Sequence, residues 1–370
     1  MTAVSTQIPL VDLKAQHAEV AGEVTRGMAR VMDETSFILG PAVREFEEAF
    51  ACFCEVPHCL GVGSGTDALE FIVRALGLAP GDEVLVPANT FIATALGVLR
   101  AGPSPVLVDC DEDHLMDPRQ VEAKITPRTR AILPVHLYGQ MAHMEALAEI
   151  AAARGLLVLE DAAQCQGARR HGRPAGHFGA AAAVSFYPGK NLGAYGDAGA
   201  VLTTSDEIAT RIRHLRNWGS ERKYHHPEIG FNSRLDTLQA VVLSAKLARL
   251  DAWNEARRQA AARYGRLLAD FPGVETPRTL PGNEHVWHLY VVRVPRRDQV
   301  LERLQAEGIG AGIHYPVPLH LHGALSHLGH HRGDFPIAEK AAAEILSLPL
   351  FPHITGEQQE RVVEALRRAL

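Results

Sequence analysis

The strongest constraint on the fold is an alternation of short apolar runs with helical stretches in the first half of the chain. Apolar runs that end in small or acidic residues occupy positions 83–86, 105–109, 131–135 and 156–161. Stretches with helical spacing, at 66–76, 90–101 and 144–153, lie before and between them. This rhythm predicts an α/β domain with a mainly parallel sheet and helices on both faces. Two further runs, 182–186 and 200–203, are predicted to extend the same sheet.

The flanking regions have a different pattern. Positions 14–53 are predicted to be helical with a break at Gly40-Pro41, and one long helical run begins near position 234. A strand at 289–294, a helix at 298–307, a loop rich in proline and histidine and two more helices are predicted to follow. With 370 residues, 46% of them hydrophobic, the chain can fill two cores. We therefore predict a large domain over residues 1–240 and a small C-terminal α+β domain over residues 241–370.

Charge and cysteine content exclude several classes of protein. The net charge of -6 argues against a nucleic-acid partner. The five cysteines favour a reducing compartment, and no signal peptide or membrane span is evident, so a cytoplasmic protein is expected. Two groups could hold a metal: Cys52, Cys54, His58 and Cys59, and His320, His322, His327, His330 and His331. Neither has zinc-site spacing, and we expect no metal.

Residues suited to ligand binding follow several of the predicted strands, where open parallel sheets bind their ligands. The sequence Gly63-Ser64-Gly65-Thr66 opens a helix, so its free N–H groups could bind a phosphate. A simple helix cap at Thr66 is an equally good interpretation.

Three further side chains lie at comparable positions. Asp161 ends a run of Leu and Val and could face a bound ring or cap a helix. Lys190 follows the 182–186 run and could form an imine if desolvation lowers its pKa, although a surface lysine is the commoner case. Phe91 could stack on a planar ring or belong to the core. Together, a phosphate cradle, an acid, an amine and an aromatic ring match the needs of pyridoxal 5'-phosphate (PLP). A dinucleotide is a poorer match, because no G-x-G-x-x-G follows the first strand.

These segments also resemble a known family, the DegT/StrS-type nucleotide-sugar aminotransferases, which are fold-type I PLP enzymes. The resemblance runs from about residue 7 to the C-terminus. It is carried by the segments FILGP (37–41), GSGTDAL (63–69), PANTFIAT (87–94), EDAAQ (160–164), SFYPGKNLGAYGD (185–197), GFNSRLDTLQA (230–240) and GIHYPVPLH (312–320).

The resemblance implies a role for each matching residue. Lys190 would be the Schiff-base lysine and proton carrier, and Asp161 the partner of the pyridine nitrogen. The other implied cofactor contacts are Gly65, Thr66 and Ser185 at the phosphate, Phe91 stacked on the ring, and Gln164 near the ring hydroxyl. Asn232 would reach the cofactor phosphate of a second subunit, which implies a homodimer with shared active sites. The expected substrate contacts are Tyr187, Lys223, Tyr224, His225, His314 and Tyr315.

The expected reaction is transfer of an amino group from L-glutamate to a nucleotide-linked keto sugar. The segments around Lys190 and Asn232 favour C3 of a dTDP-3-keto-6-deoxyhexose. Amination at C4, or of a UDP-3-keto sugar, stays open. A sugar 3-dehydratase is disfavoured because the resemblance implies histidine in place of the lysine in that class. A non-catalytic regulator is disfavoured by the complete set of cofactor residues.

Overall fold

The computed structural model describes residues 7–370. Twelve strands are formed within that range: β1 (His58–Val62), β2 (Glu83–Pro87), β3 (Ser104–Val108), β4 (Thr129–Ile132), β5 (Leu157–Asp161), β6 (Arg169–Arg170), β7 (Arg173–Pro174), β8 (Ala181–Ser185), β9 (Gly199–Thr203), β10 (Asn283–Glu284), β11 (Tyr290–Arg293) and β12 (Ile345–Leu348).

Seven of these strands form one large sheet. Their order is β1-β9-β8-β5-β4-β2-β3, and β9 alone runs antiparallel to the others. The central strands are largely apolar, and Leu85, Ala131 and Leu159 are fully buried. Burial on both faces is expected when helices cover both sides of a parallel sheet.

Twelve α-helices lie within the same range: α1 (Leu13–Asp33), α2 (Pro41–Phe53), α3 (Gly65–Ala75), α4 (Ile92–Ala101), α5 (Pro118–Lys124), α6 (Met144–Arg154), α7 (Asp206–Leu215), α8 (Thr237–Leu247), α9 (Leu250–Leu267), α10 (Arg297–Ala306), α11 (Pro336–Glu344) and α12 (Gly356–Ala369). Three short 3₁₀ turns cover Leu137–Gly139, Leu319–Leu321 and Gly323–Leu328. Pro41 opens α2 at the predicted break, a position where its missing N–H costs no hydrogen bond.

The predicted α/β class is confirmed, and the predicted strands and helices of the sheet region form within one or two residues of their expected bounds, except that β4 ends three residues earlier. Three details differ from the prediction. The long run from 234 is two helices, α8 and α9, separated at 248–249. The strand β12 was not foreseen, and neither was the small sheet of β10, β6 and β7.

A second, smaller core lies towards the C-terminus. There β11 pairs with β12, and α9, α10 and α12 pack around residues such as Tyr264, Leu346 and Leu366. The division at residue 240 stays a prediction. Leu243 and Leu250, which follow it, still pack in the core of the large sheet.

Within the part of the chain that the structure describes, no helix is both long enough and apolar enough to cross a bilayer.

Candidate active site

One cavity of about 610 Å³ collects most of the residues singled out in the sequence. It opens where β5 and β8 end and α3 and α4 begin, the edge of an open α/β sheet at which ligands bind. Ten predicted residues line it: Gly65, Thr66, Phe91, Asp161, Gln164, Ser185, Tyr187, Lys190, His314 and Tyr315.

The start of α3 forms one end of the cavity. Ser64 caps the helix, since its side chain accepts from the N–H of Asp67 at 3.1 Å. The next two residues, Gly65 and Thr66, open the helix, and the N–H groups of a first helical turn have no acceptor within the helix. A Cβ at Gly65 would lie 2.6 Å from Cβ of Ser185, so glycine lets the helix start approach the end of β8. The result is a phosphate-sized polar cradle of two N–H groups and two hydroxyls.

Thr66 therefore does not cap the helix, because the preceding serine does. Gly199, on β9, lies just as close behind this cradle: a Cβ there would stand 2.4 Å from the backbone of Ser64. The Gly63-Ser64-Gly65 turn and Gly199 thus pack backbone to backbone.

Asp161 lies at the opposite side of the cavity, at the end of β5, and is 3% exposed. Its two carboxylate oxygens accept from the Thr94 hydroxyl at 2.8 Å and from the N–H of Ala163 at 3.1 Å. Burial raises the pKa of Asp161, and those two donors together with Lys190 oppose the rise. Because the carboxylate keeps free lone pairs on the cavity side, it can hold a protonated ring nitrogen.

Lys190 lies in a turn that follows β8, and its backbone N–H donates to the carbonyl of Tyr187 at 2.8 Å. Burial lowers the pKa of Lys190 to about 8, and the nearby Asp161 carboxylate opposes that fall. At neutral pH, an amine with a pKa this low has a far larger unprotonated, nucleophilic fraction than a surface lysine.

One wall of the cavity is aromatic, and hydrogen bonds connect its residues. The rings of Phe91 and Tyr315 lie 5.1 Å apart, with Phe91 51% exposed towards the open space. Gln164 donates to the Tyr315 hydroxyl at 3.1 Å and accepts from the N–H of Tyr138 at 2.7 Å. Tyr138 in turn donates its hydroxyl to the carbonyl of His314.

Four predicted residues do not line this cavity. Asn232 is exposed and forms a β-bridge with Asn217. Lys223, Tyr224 and His225 lie in the exposed 221–227 segment, where Tyr224 is 83% exposed. The single chain therefore separates the 219–232 region from its own cavity.

Several cavity residues were not predicted. Thr90 and Thr94 lie within the recognised PANTFIAT segment, four residues apart at the start of α4, so helical spacing could have placed both on one face. Asp197 is in the SFYPGKNLGAYGD segment. His288 has no local signal, because it reaches the cavity through long-range packing.

The histidine-rich segment is a structural loop. His320 is buried and contacts Glu339 at 2.9 Å, and His330 lies 3.4 Å from Asp334. Among residues 7–370, no three His, Cys, Asp or Glu side chains are grouped to hold a metal ion.

The residues present fit PLP. An anion cradle, a buried carboxylate, a stacking ring and an amine of lowered pKa face one space, which is the donor set that the phosphate, pyridine nitrogen, ring and aldehyde of PLP require.

Comparisons with known proteins agree with this geometry. Residues 19–367 match the model of the DegT/DnrJ/EryC1/StrS aminotransferase family. The chain is 50% identical to dTDP-3-amino-3,4,6-trideoxy-alpha-D-glucose transaminase of Streptomyces venezuelae, over 99% of this chain and 97% of that protein. It is 48% identical to a pleiotropic regulatory protein of Geobacillus stearothermophilus, over 97% of each. The crystal structure of S. venezuelae DesV in complex with a ketimine intermediate superposes with a TM-score of 0.95, at 49% identity and 98% coverage of both chains.

The matched range takes in the whole large sheet and all but two of the cavity residues, Leu10 and Val11. The chain therefore belongs to the DegT/DnrJ/EryC1/StrS aminotransferase family, whose members are PLP-dependent.

Proposed function

We propose that this enzyme transfers an amino group from L-glutamate to C3 of a nucleotide-linked keto sugar, with a dTDP-3-keto-6-deoxyhexose as the acceptor. The name of the S. venezuelae relative, a transaminase forming a 3-amino dTDP sugar, supports both the position and the nucleotide. Amination at C4 and a UDP-3-keto sugar acceptor are the alternatives that the product assay below separates.

A single observation carries the proposal: Lys190 and Asp161 face the same cavity as the polar cradle at the start of α3. When bound, PLP supplies an aldehyde that takes up the donor's amino group and a protonated ring that accepts electrons. Lys190 would hold the cofactor through its amine and, when that amine is free, would carry the proton that amino-group transfer moves. Asp161 keeps the proton on the ring nitrogen.

The remaining cavity residues orient these groups. Gly65, Thr66 and Ser185 hold the phosphate, Phe91 stacks on the ring, and Gln164 lies near its hydroxyl. Gln164 is well suited to this position, because Tyr138 and Tyr315 fix both ends of its amide. Tyr187, His314 and Tyr315 are proposed to contact the sugar substrate.

A second copy of the chain completes the site in this proposal. Asn232, Lys223, Tyr224 and His225 are exposed and away from their own cavity, as residues that serve a partner's cavity would be. The exposed hydrophobic side chains Phe37, Ile38 and Trp218, each 46% to 53% exposed, are candidates for the surface between the copies. We propose a homodimer with shared active sites that works in the cytoplasm without metal or nucleic acid.

Product analysis tests the proposed reaction. The purified enzyme, loaded with PLP, is incubated with L-glutamate and either a dTDP-3-keto or a dTDP-4-keto 6-deoxyhexose. We expect the 3-amino sugar and 2-oxoglutarate in equal amounts. Formation of a 4-amino sugar alone would contradict the proposed position, and loss of a sugar hydroxyl without amine transfer would indicate a dehydratase.

A regulatory role is a second candidate, since one relative of 48% identity is named a regulatory protein. A regulator that only binds the cofactor should show an absorbance band that L-glutamate leaves unchanged. The aminotransferase should lose that band on addition of glutamate and regain it on addition of the keto sugar.

A further inference from the structure

A buried histidine lies beside Lys190 and has no part in the scheme above. His288 is 8% exposed, precedes β11 and lines the same cavity as Lys190 and His314. It comes from the C-terminal part of the chain, far from the catalytic lysine in sequence.

The hydrogen bonds of a neighbouring asparagine fix which ring nitrogen of His288 carries the proton. Asn191 donates from its amide nitrogen to Oδ1 of Asn254 at 2.8 Å and to the carbonyl of Val286 at 2.9 Å. A carbonyl can only accept, so the amide nitrogen must face Val286. The amide oxygen of Asn191 therefore faces Nδ1 of His288, 3.2 Å away, and Nδ1 must carry the hydrogen.

The other ring nitrogen is then an acceptor. Burial lowers the pKa of His288 well below 6.5, and the neighbouring charges of Lys190 and Arg257, with His314 and His285, lower it further. The ring is thus uncharged at neutral pH, with a lone pair on Nε2. Among residues 7–370, Nε2 has no hydrogen-bond partner, and it is not sealed off from the cavity.

The only cationic side chain that lines the cavity within the described chain is Lys190. An amine on a four-carbon stem needs an acceptor to hold it when it is not covalently linked. Asp161 is engaged by Thr94 and Ala163 and, in the proposed function, by the ring nitrogen.

We propose that His288 is a positioning residue whose Nε2 accepts a hydrogen bond from the Lys190 amine during the part of the cycle in which Lys190 is free. This inference rests on the proposed function, in which Lys190 carries the proton. Asn191, itself held by Asn254, orients the imidazole, so the ring does not have to be reordered before Nε2 accepts from the lysine.

Two substitutions separate this role from simple packing. His288→Asn keeps an N–H near the position of Nδ1, so it retains the contact with Asn191 but loses the acceptor in the cavity. His288→Gln places a carbonyl oxygen near the position of Nε2 and loses the contact with Asn191. Each variant therefore keeps one of the two hydrogen bonds proposed for the wild-type ring and loses the other.

The first readout is the glutamate half-reaction of the PLP-loaded enzyme, followed by absorbance in a single turnover. We expect His288→Asn to slow it roughly ten- to hundredfold, the loss expected for one hydrogen bond to a charged group. His288→Gln should stay within about fivefold of wild type, a loss typical of one neutral hydrogen bond.

The second readout needs no cofactor. Acetic anhydride labelling of Lys190 in the full-length, cofactor-free protein is measured by peptide mass spectrometry across pH. An acceptor favours the ammonium form, so His288→Asn should lower the labelling midpoint by roughly one pH unit, whereas His288→Gln should keep it near the wild-type value.

The opposite pattern overturns the inference. If His288→Asn matches wild type in rate and midpoint while His288→Gln is slow, the histidine serves only as a donor to Asn191. If only one variant folds, its labelling midpoint still decides: an unchanged midpoint in His288→Asn, or one lowered by roughly one pH unit in His288→Gln, overturns the inference. Failure of the proposed function has a different signature, because L-glutamate would then leave the absorbance band of the wild-type, PLP-loaded protein unchanged.

Discussion

Replacing Thr94 with valine tests how the enzyme keeps Asp161 charged and oriented. The change removes one hydroxyl and keeps the shape of the side chain. Thr94 is 1% exposed, and its hydroxyl donates to Asp161 at 2.8 Å. Because that hydroxyl has only one hydrogen, the 2.9 Å contact between Thr90 and Thr94 must be a hydrogen bond that Thr90 donates. In Thr94→Val, the buried carboxylate keeps only the N–H of Ala163.

The structure sets the size of the effect. A hydrogen bond to a charged group contributes about 1.5–3 kcal/mol, so its loss raises the pKa of Asp161 further by about one to two units. A more basic carboxylate competes better for the proton on the ring nitrogen, which weakens the electron-accepting ring. We expect the glutamate half-reaction to slow roughly ten- to hundredfold, with a small change in glutamate KM.

The assay is single-turnover absorbance with saturating glutamate, and thermal unfolding confirms that the variants fold. Two controls are available nearby. Thr94→Ser restores the hydroxyl and should recover most of the rate, and Thr90→Val removes only the outer hydroxyl and should cost about threefold or less. The reasoning fails if Thr94→Val reacts within twofold of wild type, or if Thr90→Val is equally slow.

Three further predictions concern the cradle, the lysine and the second copy. Gly199→Ala should destabilise the fold by roughly 1–3 kcal/mol and weaken PLP binding, because its Cβ would meet the backbone of Ser64 at 2.4 Å. Gly265→Ala, whose Cβ would have no atom within 4 Å, should be neutral or stabilising. Urea unfolding and PLP titration compare the two variants, and equal losses in both would contradict the packing argument. In the cofactor-free protein, burial lowers the pKa of Lys190 to about 8, so its reactive neutral fraction should rise with pH and reach half near pH 8 in acetic anhydride labelling; a midpoint near 10.5 would place the amine in bulk solvent. Co-expressed Lys190→Ala and Asn232→Ala chains should regain about one quarter of wild-type activity, since half of the dimers are mixed and each mixed dimer has one intact site; no recovery would contradict a site shared in this way.

Much of the fold could be predicted because local pattern and architecture coincide in the sheet region. The apolar runs there are mostly buried, and most of the intervening helices carry apolar residues at helical spacing, so a window of ten residues carries the information. The antiparallel direction of β9 could also have been predicted from sequence. The connection at 186–198 between β8 and β9 contains no helix, whereas the crossover between two parallel strands usually contains one.

The details that were missed depend on contacts distant in sequence. β12 (Ile345–Leu348) directly follows α11 with no glycine or proline between them, and it is a strand because it pairs with β11. The break between α8 and α9 at Ala248-Arg249 contains neither glycine nor proline. Because helical spacing also continues on both sides of it, the local sequence gives no sign of the break.

The same distinction applies to the site. Residues within one strand end or helix start, such as Lys190, Asp161 and Gly65, could be chosen from sequence because each local environment specifies its chemistry. His288 and Tyr138 could not, because only the packing of separate segments brings His288 to the cavity and Tyr138 to the carbonyl of His314. The resemblance implies that Asn232 reaches the site of a second copy. In the single chain Asn232 is exposed, and its role at a second site stays a prediction.

The most direct test of the account is to find which lysine is covalently linked to PLP. The PLP-loaded enzyme is reduced with borohydride, digested, and analysed by peptide mass spectrometry. We predict the pyridoxyl group on Lys190 alone. Lys246 is the informative alternative, since burial also lowers its pKa to about 8, but its amine donates to the carbonyl of Gly193 instead of facing the cavity. A label on Lys246, or on no lysine, would contradict the proposed catalyst.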